Sequence, residues 1–277
     1  MMVSVAFQGE RGAFSEEAAI LYFKDRLELK PCYSFSEVFE RVLTGDVDYG
    51  IVPVENSYAG SIVDTFDLLL QYDVNIVGEK VLRIRHNLIV NVNVKIDDVE
   101  VVYAHPQATA QCDIFLRKIN KKIVPFYDTA GSVKHVKENN LRNAAAIGSK
   151  LAAEIYGMSI LAESIESNPD NYTRFYVISL APAKKGVKNK TTIVFSTRNI
   201  PGSLYHCLKP FADSGINLTK IESRPNRKKP WEYVFYLEFE GLKDEVKSLK
   251  ALSELKKKAS LLKILGSYPA DPEPQNR

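Results

Sequence analysis

Four short segments carry the residue types that could do chemistry. The sharpest is Asn168-Pro169-Asp170-Asn171-Tyr172-Thr173-Arg174-Phe175, where a polar turn enters an apolar run that begins with a hydroxyl, a guanidinium and an aromatic ring. A guanidinium grips a carboxylate bidentately and a hydroxyl donates one hydrogen bond; the same pattern also serves a plain strand start with a satisfied arginine. In the second segment Glu55, Asn56, Ser57 and Ser61 follow the apolar run Tyr49-Gly50-Ile51-Val52-Pro53, the place where α/β folds present functional groups, although Asn and Ser also build turns and caps there. The third runs His105-Pro106-Gln107-Ala108-Thr109-Ala110-Gln111-Cys112. A Cys–His nucleophilic pair is rejected, because Cys112 falls about two turns into a helix and a buried free cysteine is commonly inert. The fourth, Gly9-Glu10-Arg11-Gly12 before Ser15, could offer backbone N–H groups to an anion, but it has neither the third glycine of a dinucleotide fingerprint nor the Gly-Lys-Ser/Thr of a P-loop. His86, His105, His135 and His206 show no ligand spacing with acids or cysteines, so no metal site is expected.

The elements that must position these groups alternate. Over the first 180 or so residues, short runs rich in Val, Ile and Tyr alternate with helix-period stretches, the pattern of an α/β fold with mostly parallel strands. Residues 3–7 read as a strand and Ser15 as the N-cap of the next helix, with Glu16 and Glu17 in its first turn. Ser34 and Glu37 fit a capping box ahead of the stripe Val38, Phe39, Val42 and Leu43, and Gly45 stops that helix. A helix over about 61–72 leads to strands at 74–81 and 87–92. A second α/β unit follows: strands at 101–104, 123–126, 144–148 and 158–162, and helices at 108–118, 131–138 and 149–156. A last strand at 172–180 returns toward the first unit. Two α/β lobes imply a cleft between them, where small-ligand sites form.

The lysine-dense stretch 182–190 reads as a solvated linker. Beyond it, strand 191–197, helix 202–214, strands 217–223 and 232–240, helix 244–257 and strand 261–265 give the order βαββαβ of a ferredoxin-like domain. Residues 269–277, rich in proline and charge, are expected to hang free.

Composition narrows the class. The 277 residues are 45% hydrophobic and 26% charged, enough for one large or two modest globular domains. A net charge of +3 gives no reason to expect nucleic acid, and no apolar run approaches the roughly 20 residues that span a bilayer. Three widely separated cysteines and the lack of a leader before the first strand point to a reducing, cytoplasmic location.

Taken in order and spacing, Gly9-Glu10-Arg11-Gly12-Ala13-Phe14-Ser15-Glu16, Val52-Pro53-Val54-Glu55-Asn56-Ser57, His105-Pro106-Gln107 through Gln111-Cys112, and Asn171-Tyr172-Thr173-Arg174-Phe175 resemble the prephenate dehydratase family. Asn199-Ile200-Pro201-Gly202-Ser203-Leu204, Gly215-Ile216-Asn217-Leu218-Thr219-Lys220-Ile221 and Glu222-Ser223-Arg224-Pro225 resemble its C-terminal ACT domain. The resemblance covers nearly the whole chain. It implies a two-lobed catalytic domain like a type 2 periplasmic binding protein over residues 1–181, a linker at 182–190, an ACT domain at 191–268 and a tail at 269–277. With the first strand starting at Val3, the monofunctional form is expected, without a fused chorismate mutase.

The resemblance also implies a chemistry without cofactor: prephenate loses carbon dioxide and water to become phenylpyruvate. Holding a dianion in one pose and assisting departure of its hydroxyl calls for orientation and hydrogen-bond donation. Thr173 is the expected donor to the leaving hydroxyl, with Arg174 and Phe175 in the same catalytic motif; Asn56, Ser57, Gln107 and Thr129 are the expected substrate contacts. Pro201, Gly202, Ser203, Leu204, Asn217, Leu218, Glu222, Ser223, Arg224 and Pro225 are expected to bind the effector L-phenylalanine, in a homodimer or homotetramer. Two positions depart from the family: Ala13 stands where Thr or Ser is usual, and Ser203 where Ala is usual. Arogenate dehydratase, with the same fold and chemistry on the transaminated substrate, is the alternative, and a non-catalytic amino-acid sensor the more distant one.

Overall fold

The computed structural model describes residues 2–24, 26–225 and 233–272. The chain divides into two compact units, residues 1–65 with 80–175, and residues 66–79 with 176–277.

The first lobe is built from β1 (Val3–Gln8), α1 (Phe14–Phe23), β2 (Leu27–Cys32), α2 (Phe35–Leu43), β3 (Tyr49–Asn56), β4 (Gly60–Ser61), α3 (Val63–Gln71) and β5 (Asn75–Arg83). The second contains β6 (Asn87–Val90), β7 (Val101–Ala104), α4 (Pro106–Gln111), α5 (Asp113–Ile119), β8 (Lys122–Pro125), α6 (Thr129–Glu138), β9 (Ala144–Gly148), α7 (Lys150–Ile155) and β10 (Ser159–Ala162), after which β11 (Tyr172–Ser179) returns to the first sheet. The sheet orders are β2-β1-β3-β11-β5 and β10-β6-β9-β7-β8. This is the two-lobed, periplasmic-binding-protein-like architecture that the resemblance implies. The strands are more mixed than their apolar runs suggest. β1 pairs in parallel with β2 and β3, and β7 with β8 and β9, whereas β6 runs antiparallel to both β9 and β10. Periodicity marks a buried strand but carries no direction.

Two local expectations are corrected. β2, at the sheet edge, went unread because Leu27-Glu28-Leu29-Lys30-Pro31-Cys32 mixes charges with a proline, composition that an edge strand tolerates. Helix α1 begins at Phe14, so Ala13 and not Ser15 is its N-cap, and Ser15 is buried. No side chain caps this end; instead the Glu16 carboxylate reaches back to accept from the Gly12 amide at 2.5 Å. The capping reading of α2 holds: Ser34 Oγ accepts from the Glu37 amide at 3.2 Å, and the Glu37 carboxylate accepts from the Tyr33 amide at 2.8 Å.

In the second unit, β12 (Asn189–Ser196), α8 (Ser203–Asp213), β13 (Leu218–Pro225), β14 (Tyr233–Glu240), α9 (Val246–Lys258) and β15 (Leu261–Pro269) form a four-stranded antiparallel sheet of order β13-β14-β12-β15. This is the ferredoxin-like fold expected from the βαββαβ order. Ile193, Phe195, Phe211, Leu237, Phe239 and Leu255 are fully buried in its core. Residues 66–79 belong to the same unit: Tyr236 donates from its hydroxyl to the Phe66 carbonyl at 2.7 Å, and Lys263 donates to the Tyr72 carbonyl at 2.9 Å.

The end of the lysine-rich stretch is not solvated. Lys190 lies 2.9 Å from the Glu79 carboxylate and 3.3 Å from that of Glu238, and both acids are buried. Glu238 further accepts from Tyr176 and Tyr268 at 2.9 Å each and from Thr219 at 2.6 Å. The tail is also tied where it is described. The Ala270 amide donates to the Lys188 carbonyl and the Asp271 amide to the Glu79 carboxylate, while residues 273–277 lie outside the described residues.

Candidate active site

The site assembles at the C-terminal ends of β1 and β3, facing the N-terminal ends of helices from the second lobe. After β1 the chain passes through Gly9-Glu10-Arg11-Gly12, and Gly12 has a left-handed φ of 88°. A side chain there would meet the Ala152 Cα at 2.5 Å, so glycine is required for the loop to pack on α7. The Gly12 carbonyl accepts from Ser149 Oγ at 2.6 Å, and Ser149 in turn caps α7 by accepting from the Ala152 amide. Glu10 completes the contact, accepting from Lys134 at 3.0 Å and from the Tyr127 hydroxyl at 3.1 Å. This fourth motif therefore joins the two lobes.

Asn56, the last residue of β3, is the centre of the polar cluster. Its carbonyl oxygen accepts from the amides of Tyr58 (3.0 Å) and Ala59 (2.8 Å), which fixes the amide so that Nδ2 points the other way. Nδ2 then donates to Asn171 Oδ1 at 2.8 Å, to Thr173 Oγ1 at 3.0 Å and to the Tyr172 carbonyl at 3.2 Å. Two expected site residues, Asn56 and Thr173, are thus brought into direct contact across more than a hundred positions. Because Thr173 Oγ1 accepts from Asn56, its own proton is directed elsewhere, and no acceptor takes it among the described residues.

The other expected residues are distributed differently. Strand alternation puts Arg174 on the face opposite Thr173, where it donates to Glu55 at 2.7 Å and is 13% exposed. Phe175 shares the Thr173 face and is buried. The Ser57 hydroxyl donates to the Asp170 carbonyl and accepts from the Tyr172 amide, both at 2.9 Å, so it ties the turn before β11 to the end of β3. Gln107 is exposed on the first turn of α4 and Thr129 is half-buried at the start of α6; neither makes a hydrogen bond to the Asn56 cluster among the described residues.

Gln111, quoted above only as part of a motif, does reach the cluster: its Nε2 lies 3.5 Å from Asn56 Oδ1 and its Oε1 2.8 Å from His86 Nε2. Gln107 and Gln111 stand one turn apart on one helix, and nothing in their spacing says which turns inward. Burial lowers the pKa of His86, which keeps the imidazole neutral. His105 caps α4, its Nδ1 accepting from the Gln107 amide at 3.2 Å, and it too has its pKa lowered by burial. Asp128 caps α6 by accepting from the Gly131 amide at 2.6 Å, and burial raises its carboxyl pKa. The thiol of Cys112 is fully buried and pushed up to about 12, chiefly by burial.

In the second unit Gly202, with a left-handed φ of 79°, is the N-cap of α8, and the Ser203 amide closes a turn on the Ile200 carbonyl at 3.2 Å. The next amides, of Leu204 and Tyr205, have no backbone partner among the described residues. Asn217 and Leu218 lie at the start of β13, whose end carries Glu222, Ser223, Arg224 and Pro225. Arg224 approaches the Asp67 carboxylate at 3.8 Å.

Comparison with known proteins agrees with this architecture. Residues 5–183 match the family model for prephenate dehydratase and residues 191–257 that for the ACT domain. The chain is 44% identical over 281 residues to the chloroplastic arogenate dehydratase/prephenate dehydratase 2 of Arabidopsis thaliana, covering 97% of this chain and 73% of that protein. Among solved structures it is similar to prephenate dehydratase from Arthrobacter aurescens in complex with L-Phe (32% identity, TM-score 0.88, 96% of this chain and 90% of the other). It is also similar to GqqA, described as a novel type of quorum quenching acylase (32% identity, TM-score 0.89, 97% and 98%). A family match over most of the chain, with motifs that meet around Asn56 and Thr173, makes this protein a member of the prephenate dehydratase family with a C-terminal ACT domain.

Proposed function

We propose that this enzyme converts prephenate to phenylpyruvate, with Thr173 as the hydrogen-bond donor to the departing ring hydroxyl. The observation that carries the proposal is the Asn56 amide donating to Thr173 Oγ1 at 3.0 Å, which leaves the threonine proton to be given to a ligand. In the reaction the bond to the ring carboxylate breaks and its electron pair enters the ring. The ring C–OH bond breaks at the far side, and the oxygen leaves as water after taking up one proton that solvent replaces. Aromatisation drives the step. A threonine is a poor acid, so its contribution is a fixed dipole aimed at the oxygen where charge develops, which is worth most in a site as dry as that of Thr173, 8% exposed. Asn56 orients Thr173, Arg174 and Ser57 brace β11 against the end of β3, and Gln107, Gln111 and Thr129 are the groups offered to the substrate carboxylates and hydroxyl.

L-phenylalanine is the effector, bound where the free amides of Leu204 and Tyr205 at the N-terminus of α8 can meet a carboxylate, in a homodimer or homotetramer located in the cytoplasm. The L-Phe complex of the similar Arthrobacter aurescens enzyme supports this reading. Arogenate is the second substrate reading, favoured by the double name of the Arabidopsis thaliana relative. The decisive experiment is phenylpyruvate formation from prephenate by purified, chelator-treated protein, with and without L-phenylalanine, with arogenate and an N-acyl amide as parallel substrates and sedimentation for the assembly. Prephenate turnover suppressed by phenylalanine is expected. Faster turnover of arogenate, or cleavage of the amide alone, would replace the substrate assignment.

A further inference from the structure

We infer that His86 is a positioning residue: as its Nε2–H tautomer it holds the Gln111 amide with the N–H side turned toward Asn56 and Thr173. This rests on the reading of Thr173 as the donor in the reaction and adds the residue that organises the far side of its cluster.

The direction of every hydrogen bond in the chain follows from two backbone amides, which can only donate. The Tyr58 and Ala59 amides fix Asn56 Oδ1 as an acceptor. The Gln111 atom facing that oxygen must therefore be its nitrogen, at 3.5 Å, because a carbonyl there would oppose another carbonyl. Gln111 Oε1 is then left facing His86 Nε2 at 2.8 Å and needs a proton from it. Nδ1 must be the bare nitrogen of a neutral ring, and it has no hydrogen-bond partner among the described residues.

The ring is held where it can do this. His86 is 2% exposed, and Phe14 meets it edge-on at 5.4 Å between centroids. Its backbone is fixed on both sides, the amide donating to the Glu166 carboxylate at 3.0 Å and the carbonyl accepting from the Ile165 amide at 2.9 Å. Burial favours the neutral ring and outweighs the hydrogen bond to Gln111 and the Glu166 carboxylate, both of which favour the charged form, while His105 opposes it. Remove the imidazole donor and the buried Gln111 carbonyl loses its partner, so the amide is free to turn and present oxygen to Asn56.

The test uses the full-length protein with His86→Leu, His86→Gln, Gln111→Leu and the pair His86→Leu/Gln111→Leu. Steady-state kinetics on prephenate are combined with circular dichroism and the imidazole nitrogen NMR shifts of the wild type. Loss of a buried donor predicts that kcat falls ~tenfold or more in His86→Leu with KM changed less than about threefold. His86→Gln, which keeps an N–H, is expected to recover most of that rate. The pair should be no more than about twofold slower than Gln111→Leu alone, since the two residues act in series. The nitrogen shifts should place the proton on Nε2. A wild-type kcat in His86→Leu, an additive loss in the pair, or a proton on Nδ1 would overturn the inference. Should His86→Leu fail to fold, the tautomer and His86→Gln decide. If the wild type turns over neither prephenate nor arogenate, the functional reading fails separately, and the tautomer alone still sustains or overturns the hold on Gln111.

Discussion

Asn56 Nδ2 lies 3.0 Å from Thr173 Oγ1, joining the end of β3 to the start of β11 and setting the direction in which the threonine hydroxyl can donate. The contact is buried and repeated on Asn171, so a change at either residue should be read in the chemical step before it is read in the fold.

Thr173→Ala is therefore expected to lower kcat ~100-fold or more while KM stays within a few-fold, the pattern of a donor that matters mainly in the transition state. Thr173→Ser, which keeps the hydroxyl, should retain most of the rate. Stopped assays of phenylpyruvate against prephenate concentration check both, and near-normal turnover of the alanine variant would take Thr173 out of the mechanism.

The proposed effector site is addressed by Gly202→Val. A valine at φ 79° is strained and its Cβ meets the His206 ring at 3.5 Å, beside the free amides of α8. Inhibition by L-phenylalanine should disappear with uninhibited kcat within about twofold of wild type, because Gly202 is not among the residues assigned to the chemistry. Unchanged inhibition would move the effector elsewhere.

Lys190→Met removes the ammonium shared by two buried carboxylates, Glu79 and Glu238. Breaking such a group from one side costs about 3–5 kcal/mol, so the urea midpoint should fall far more than for Lys184→Met in the exposed stretch before it. Equal midpoints would mean that Lys190 is solvated after all.

The depressed pKa of His86 has a defined consequence for stability. Its ordinary value is 6.5 and burial lowers it in the fold, so the unfolded chain takes up the proton first. The contribution of the neutral ring is present above pH 6.5 and is lost as pH falls through the lower folded value. Relative to His86→Gln, the wild type should lose stability as pH is lowered below 6.5 in urea titrations. Parallel curves for the two proteins would show that the ring is accessible to protons in the fold.

The sequence by itself determined the order of strands and helices apart from the edge strand β2 and the short β4, the division into two α/β lobes and a βαββαβ domain, and the motifs that bear the chemistry, because apolar periodicity, capping residues and turn residues are local properties of the chain. It also singled out Asn56 and Thr173 as separate candidates. Only the tertiary structure decided that these two touch, that Arg174 faces Glu55 instead, that Gln111 and His86 back the cluster, and that Lys190 lies between buried acids and not in solvent. Each of these depends on which strands become neighbours and on which side of a helix or strand meets the other lobe. Strand pairing brings together positions more than a hundred residues apart, and a helix with glutamines one turn apart gives no local reason for one of them to be buried and the other exposed.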